Sequence, residues 1–165
     1  MKLKVTAAVV NGVNEPYVLE ELSLGELRYD EVLVKIVATG MCHSDEALRV
    51  GDAQYPLPAV LGHEGAGIIV EVGSAVKDLQ VGDQVVLSYN FCGTCPSCRT
   101  GHPSSCTSWA PLNMVGSRLD GSTIFTKEDG TPVANFFMQS SFATHTIVHQ
   151  NNVVKVDSDA DLRLI

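Results

Sequence analysis

The chain has 165 residues, 45% hydrophobic and 18% charged, with a formal net charge of -8. That length suits one domain with a sizeable core, and the composition is far from that of a disordered chain. The acidic balance excludes a phosphate backbone as the expected partner, because nucleic acid calls for clustered Lys and Arg.

In chain order, Met-Lys-Leu-Lys-Val-Thr is followed by only four small apolar residues, Ala7 to Val10. This run is too short for a signal-peptide core or a membrane span, so a soluble, reducing, cytoplasmic setting is expected. Val5 to Val10 reads as a strand and Asn11-Gly12 as a hairpin turn signal. Tyr17 to Leu22 alternates weakly. Glu31 to Ala38 is the clearest strand of the first half, with Val32, Val34, Ile36 and Ala38 on one face. A short helix is expected from Asp45 to Val50, capped by Ser44 or Asp45. Further strands are expected at Ile68 to Val72, after the turn Val81-Gly-Asp83 up to Leu87, at Phe142 to Val148 and at Val153 to Val156. The stretch beyond Cys106 reads as a long polar loop marked by Gly116, Gly121 and Gly130. The sum predicts a mainly β domain with short helices, a partly closed β-barrel. Gly65-Ala-Gly67 lacks the third glycine of a dinucleotide fingerprint, since Val70 stands there, and is expected to serve close backbone packing instead.

Four of the five cysteines, Cys92, Cys95, Cys98 and Cys106, lie between Phe91 and Cys106, separated by two, two and seven residues. Short gaps with Gly93 and Pro96 in the bends aim successive sulfurs at one centre, as a tetrahedral zinc requires. A disulfide pair would need an oxidising compartment. An iron–sulfur cluster uses the same thiolates, but one closed surface loop favours structural zinc. Such a site folds a lobe and catalyses nothing.

A second constellation joins Cys42, His43, Ser44 and Asp45 to His63 and Glu64. Taken singly, Cys42 reads as a small buried hydrophobe and His63 as a hydrogen-bonded loop histidine. Together, a thiolate, an imidazole and carboxylates near glycine-rich bends are what an open, Lewis-acidic zinc requires, with Ser44 placed to pass a proton.

Gly40-Met-Cys-His-Ser-Asp45, Gly62-His-Glu-Gly-Ala-Gly67, Val81-Gly-Asp83 and the four-cysteine lobe, in this order along nearly the whole chain, resemble the zinc-dependent medium-chain alcohol dehydrogenases. The match is to their N-terminal catalytic domain, which has a GroES-like fold. Ser117 to Gly121 and Phe136 to Val148 look most like the aryl-alcohol (benzyl alcohol) dehydrogenase branch.

The resemblance implies that Cys42 and His63 bind a catalytic zinc, with Glu64 able to approach it. It makes Asp45 the carboxylate behind the zinc-bound imidazole, Ser44 the acceptor of the substrate proton, and His43 the contact to the cofactor pyrophosphate. Cys92, Cys95, Cys98 and Cys106 become structural zinc ligands. The implied reaction is oxidation of a primary alcohol to an aldehyde by hydride transfer to NAD, and the implied full-length enzyme is a homo-oligomer.

Three departures stand out. Ala47 occupies the place of a proton-relaying histidine, so the relay beyond Ser44 must end in water, the cofactor ribose or another base. The family's third catalytic cysteine and its nucleotide-binding Rossmann domain would both lie beyond Ile165. Residues 1–165 therefore read as one domain, with the zinc lobe at about 91–107, of a longer enzyme, and as inactive alone.

His102, His145 and His149 are expected in structural or surface roles. Tyr89, Trp109 and Leu112, beside Phe91 at the lobe, are candidate walls of an apolar substrate pocket. Competing readings are a glutathione-dependent formaldehyde dehydrogenase or another alcohol or polyol dehydrogenase, a non-catalytic zinc-stabilised GroES-like module, and a zinc ribbon that the acidic balance disfavours.

Overall fold

The computed structural model describes residues 3–165. Its strands are β1 (Lys4–Val10), β2 (Val18–Leu24), β3 (Glu31–Thr39), β4 (Ala59–Val60), β5 (Gly65–Val72), β6 (Gln84–Leu87), β7 (Phe125–Thr126), β8 (Pro132–Asn135), β9 (His145–His149) and β10 (Val153–Lys155). Side chains alternate along a strand, so Val5, Ala7 and Val9 share one face of β1, and all three are buried. β1 pairs antiparallel with β2, from Lys4 opposite Ser23 to Val9 opposite Val18. Asn11-Gly12 does introduce a hairpin, but its connection spans residues 11–17 rather than a tight turn. Asn14, at φ 61°, takes the left-handed position, while the Asn11 side chain donates to Glu20 and accepts from Lys127.

β2 passes to β7, β7 to β8, β8 runs parallel to β4, and β4 returns to β1, which closes a five-stranded barrel. Its interior is filled by Val9, Leu22, Leu24, Val60, Ile124, Phe125 and Val133. The polar loop expected beyond Cys106 is here corrected. It contains a helix at Trp109–Asn113 and the β7–β8 hairpin, whose turn is closed by Gly130 N–H to the Lys127 carbonyl and Lys127 N–H to the Thr131 carbonyl. Each of these strands is too short to show a period, yet Asp129-Gly130 is itself a hairpin signal. β4, between Pro58 and the His63 motif, was equally illegible at two residues long.

The second sheet has the order β10-β6-β5-β3-β9. β3 buries Val32 and Val34 and half-buries Ile36 and Ala38, the face expected from alternation. β5 begins three residues earlier than Ile68, at Gly65. A Cβ on Gly65 would lie 2.6 Å from the Ser141 Cβ, and one on Gly67 would strike the Lys35 carbonyl of β3. These glycines serve close packing, as the missing third glycine suggested. β9 starts at His145 rather than Phe142, while Ala143 makes an isolated bridge to Ala7 that ties the two sheets together. Among the described residues the only parallel pairing is β4 with β8.

A buried ion pair ties the start of β3 to the loop before β7. Glu31, at the start of β3, accepts Arg118 Nε at 2.6 Å and Nη2 at 2.7 Å, and the Arg28 N–H at 3.0 Å. Both side chains are about 5% exposed (6% for Arg118, 5% for Glu31). Removing one partner strands a buried charge, so Arg118→Leu is expected to lower the unfolding free energy by roughly 3–5 kcal/mol in urea denaturation. The Glu31→Leu/Arg118→Leu double variant should lose less than Arg118→Leu alone. A single-variant loss below about 1 kcal/mol would show that the pair behaves as a surface bridge.

Candidate functional site

β3 ends at Thr39 and the chain turns into α1 (His43–Val50), with Cys42 as its N-cap. This corrects the expected start and the expected cap at Ser44 or Asp45. Asp45 sits in the first turn instead, and its carboxylate reaches back to the Cys42 N–H at 3.1 Å. The same carboxylate accepts the Gly62 N–H at 2.9 Å and meets His63 Nδ1 at 3.2 Å. Asp45 is only 1% exposed. A single buried carboxylate thus fixes the two segments that carry Cys42 and His63.

With Asp45 on Nδ1, His63 keeps Nε2 for the other side of the ring, where Ser44 Oγ lies at 3.3 Å. The Asp45 hydrogen bond raises the His63 pKa, and the Ser44 hydroxyl leads the contacts that lower that of Cys42. Ligand atoms of Cys42, His63 and Glu64 all lie within 4.8 Å of one another. Gly40 makes room for this grouping, because a Cβ there would collide with the Glu64 carboxylate. Thiolate, imidazole and carboxylate form a zinc-type donor set with a partly exposed rim. The residues fit the metal. Ala47 follows in α1, half-buried, and offers no proton acceptor.

In the lobe, the sulfurs of Cys92, Cys95, Cys98 and Cys106 also lie within 4.8 Å of one another, and all are free. α2 (Pro96–Arg99) starts after Cys95 and carries Cys98. Backbone N–H groups point at the sulfurs, Cys95 to Cys92 at 3.3 Å, and Cys92 and Ser108 to Cys106 at 3.4 Å each. Donors from Thr94 and Cys95 pull the Cys92 thiol down to about 5, and N–H donors from Cys98 and Thr107 pull Cys95 to about 7. Desolvation, followed by donation to Cys95, pushes Cys98 up to about 12. Four sulfurs this close cannot all ionise without a cation, and a tetrahedral thiolate zinc meets that need.

The aromatic surroundings hold what sequence reasoning missed. Phe136 and Phe137 stand edge-on to the His63 ring, with centroids at 5.2 and 5.0 Å, and stack on each other at 4.2 Å. In the sequence they belong to the stretch Phe136 to Val148 likened to the aryl-alcohol branch, but neither was given a place in the substrate wall. Trp109, the first residue of α3 (Trp109–Asn113), packs edge-on against Phe137 at 5.5 Å. Leu112 is not brought to this wall and lines a separate cavity of about 280 Å³ with Arg28, Phe91, Cys92 and Arg118. Tyr89 is half-buried between β6 and the lobe. His43 is exposed in the first turn of α1. His102 is exposed and 3.4 Å from the Thr100 hydroxyl, outside the sulfur cluster. His149 faces Asp30 at 3.4 Å, and His145 meets the Thr144 hydroxyl at 3.4 Å.

If Asp45 orders the donors as this geometry indicates, Asp45→Ala should weaken zinc binding at Cys42 and His63 by roughly 10–100-fold. Competition with a chromogenic chelator measures this, and the lobe zinc should be unaffected. Equal affinities in both proteins would remove Asp45 from that role.

Residues 28–158 match the model of the alcohol dehydrogenase GroES-like domain. A geraniol dehydrogenase of Castellaniella defragrans is 45% identical over 161 residues, covering 96% of this chain and 43% of that protein. The solved structure of an alcohol dehydrogenase zinc-binding domain protein from Burkholderia ambifaria superposes with a TM-score of 0.95 at 45% identity, covering 98% of this chain and 44% of that one. A benzyl alcohol dehydrogenase structure from Acinetobacter calcoaceticus gives 0.90 at 44% identity, with 97% and 43% covered. The chain thus spans less than half the length of these relatives. No helix among the described residues is long and apolar enough to cross a membrane. The matched domain, the barrel and the two cysteine-bearing clusters agree, and the chain belongs to the zinc-type medium-chain alcohol dehydrogenase family as its GroES-like domain.

Proposed function

We propose that residues 1–165 are the catalytic domain of a longer alcohol dehydrogenase, which oxidises a primary aryl alcohol such as benzyl alcohol to its aldehyde and reduces NAD. One observation carries the reading. Cys42, His63 and Glu64 converge within 4.8 Å, Asp45 holds the far side of the imidazole, and Ser44 Oγ stands 3.3 Å from Nε2. Support for an aromatic substrate comes from the Phe136, Phe137 and Trp109 rings beside His63 and from the benzyl alcohol dehydrogenase likeness.

A zinc held by Cys42, His63 and Glu64 supplies a Lewis acid that lowers the pKa of an alcohol hydroxyl. Ser44 Oγ takes the hydroxyl proton. Ala47 offers no onward acceptor within α1, so the proton leaves by water, the cofactor ribose or another base. A nicotinamide cofactor bound beside this site would supply the acceptor for the carbinol hydride, leaving the aldehyde C=O. Phe137 and Trp109 orient the substrate ring and exclude water. His43 is assigned to the cofactor pyrophosphate. The nucleotide-binding domain would come from the rest of the longer enzyme, a cytoplasmic homo-oligomer, and the 165-residue chain by itself is expected not to turn over.

In the full-length enzyme, Ser44→Ala should lower kcat by roughly 10²–10⁴-fold, the usual range for a positioned proton acceptor. Trp109→Ala should reduce the kcat/KM preference for benzyl alcohol over ethanol by roughly 2–10-fold, the worth of one aromatic pair. An unchanged preference would take Trp109 out of the substrate wall, and an unchanged kcat would take Ser44 out of the proton path.

A further inference from the structure

The turn from Phe136 to Ser141 holds three non-glycine residues at positive φ, with Phe137 at 50°, Met138 at 51° and Ser140 at 49°. Left-handed backbone is unfavourable for side chains with a Cβ and persists where the surroundings enforce it. Two buried amides do so here. Asn152 is fully buried and donates from Nδ2 to the carbonyls of Phe137 at 3.0 Å and Ser88 at 3.1 Å. Gln139, equally buried, donates from Nε2 to the same Ser88 carbonyl at 2.9 Å and accepts the Gly65 N–H at 3.3 Å. Its own carbonyl takes the Thr146 hydroxyl.

The two amides therefore meet on one carbonyl, that of Ser88 at the end of β6, and clamp the turn between β5 and the 3-10 turn Gln150–Asn152. A turn left to its own preferences would relax out of the left-handed region. The Phe137 ring would then leave its place 5.0 Å from His63 and 5.5 Å from Trp109. We propose that Asn152 and Gln139 are positioning residues, whose hydrogen bonds hold Phe137 in the strained turn and so set the width of the substrate wall. This assignment rests on the proposed alcohol site beside His63. Neither amide belongs to the metal-donor cluster, so the effect should fall on substrate shape and not on zinc.

Trp109 is the chain's single tryptophan and reports on its contact with Phe137. In the zinc-loaded 165-residue chain, Asn152→Leu keeps the branched outline of the side chain, adds bulk and removes the donors. It should shift Trp109 emission to the red and increase quenching by acrylamide, with zinc content unchanged. Asn152→Gln, which keeps an amide donor, should recover part of the shift. In the full-length enzyme, Asn152→Leu should lower kcat/KM for benzyl alcohol roughly 10-fold more than for ethanol, as expected when a positioning contact is displaced.

Should Asn152→Leu fail to fold, Gln139→Glu carries the test. It keeps the acceptor for Gly65, loses the donor to Ser88, and should give the same shift in smaller degree. A lowered melting temperature with unchanged Trp109 emission and an unchanged benzyl-to-ethanol ratio would make the amides purely structural and overturn the proposal. A wild-type enzyme inert toward both alcohols would instead remove the alcohol-site reading, and the fluorescence arm would still decide whether the amides position Phe137.

Discussion

A carboxylate withdrawn from water survives only when donors fill its oxygens, and Asp45 meets that condition by taking hydrogen bonds from three places at once. The Cys42 N–H belongs to the start of α1, the Gly62 N–H to the loop before β5, and the His63 ring to the site itself. Oδ2 depends on the Cys42 N–H alone, while Oδ1 is shared by the Gly62 N–H and the His63 ring. Satisfying it therefore brings together two segments about twenty residues apart in sequence. The donor atoms converge because a helix start and a loop share one buried anion. The imidazole's orientation and the Ser44 contact follow from that constraint.

The two clusters answer different physical demands. The lobe gathers four cysteines into a short stretch where backbone N–H groups already point at the sulfurs, and its closed, all-sulfur set stabilises local structure. The Cys42 cluster draws on residues from both ends of a loop, mixes sulfur, nitrogen and oxygen donors, and keeps an exposed rim. A closed site suits folding, and an open one suits exchange of ligands. The second sheet lies between them, since β6 leads into the lobe while β3 ends and β5 begins beside Cys42, His63 and Glu64.

The four-cysteine cluster was legible from its spacing, whereas Cys42, His63 and Glu64 stood out only through their company and the family resemblance, and each of these two sets converges. β1 and β3 were legible because one face of each is buried. The short strands β4, β7 and β8 were not, since two to four residues carry no period. They exist because the barrel's hydrogen bonds must close, which is a tertiary demand. The helix cap was misplaced because Asp45 looks like a cap residue by type, while its burial and its second role at His63 move it inward by three positions from Cys42. Phe136 and Phe137 lie in the stretch likened to the aryl-alcohol branch, but their place beside His63 was not legible, because Phe137 reaches it through backbone at positive φ, which leaves no mark when the residue is not glycine. Leu112 was drawn toward the substrate wall by its nearness to Trp109 in sequence, yet the short helix α3 turns it into the cavity beside Arg118.

Zinc per chain, by elemental analysis of this 165-residue protein purified without added metal and of its Cys42→Ala variant, tests the central claim most directly. Two zinc ions per chain falling to one in the variant is the predicted result, since the Asp45-organised donors and the lobe should load independently. One zinc per chain, unchanged by the substitution, would contradict it: the lobe alone would then hold metal, and the convergence of Cys42, His63 and Glu64 would not amount to a binding site.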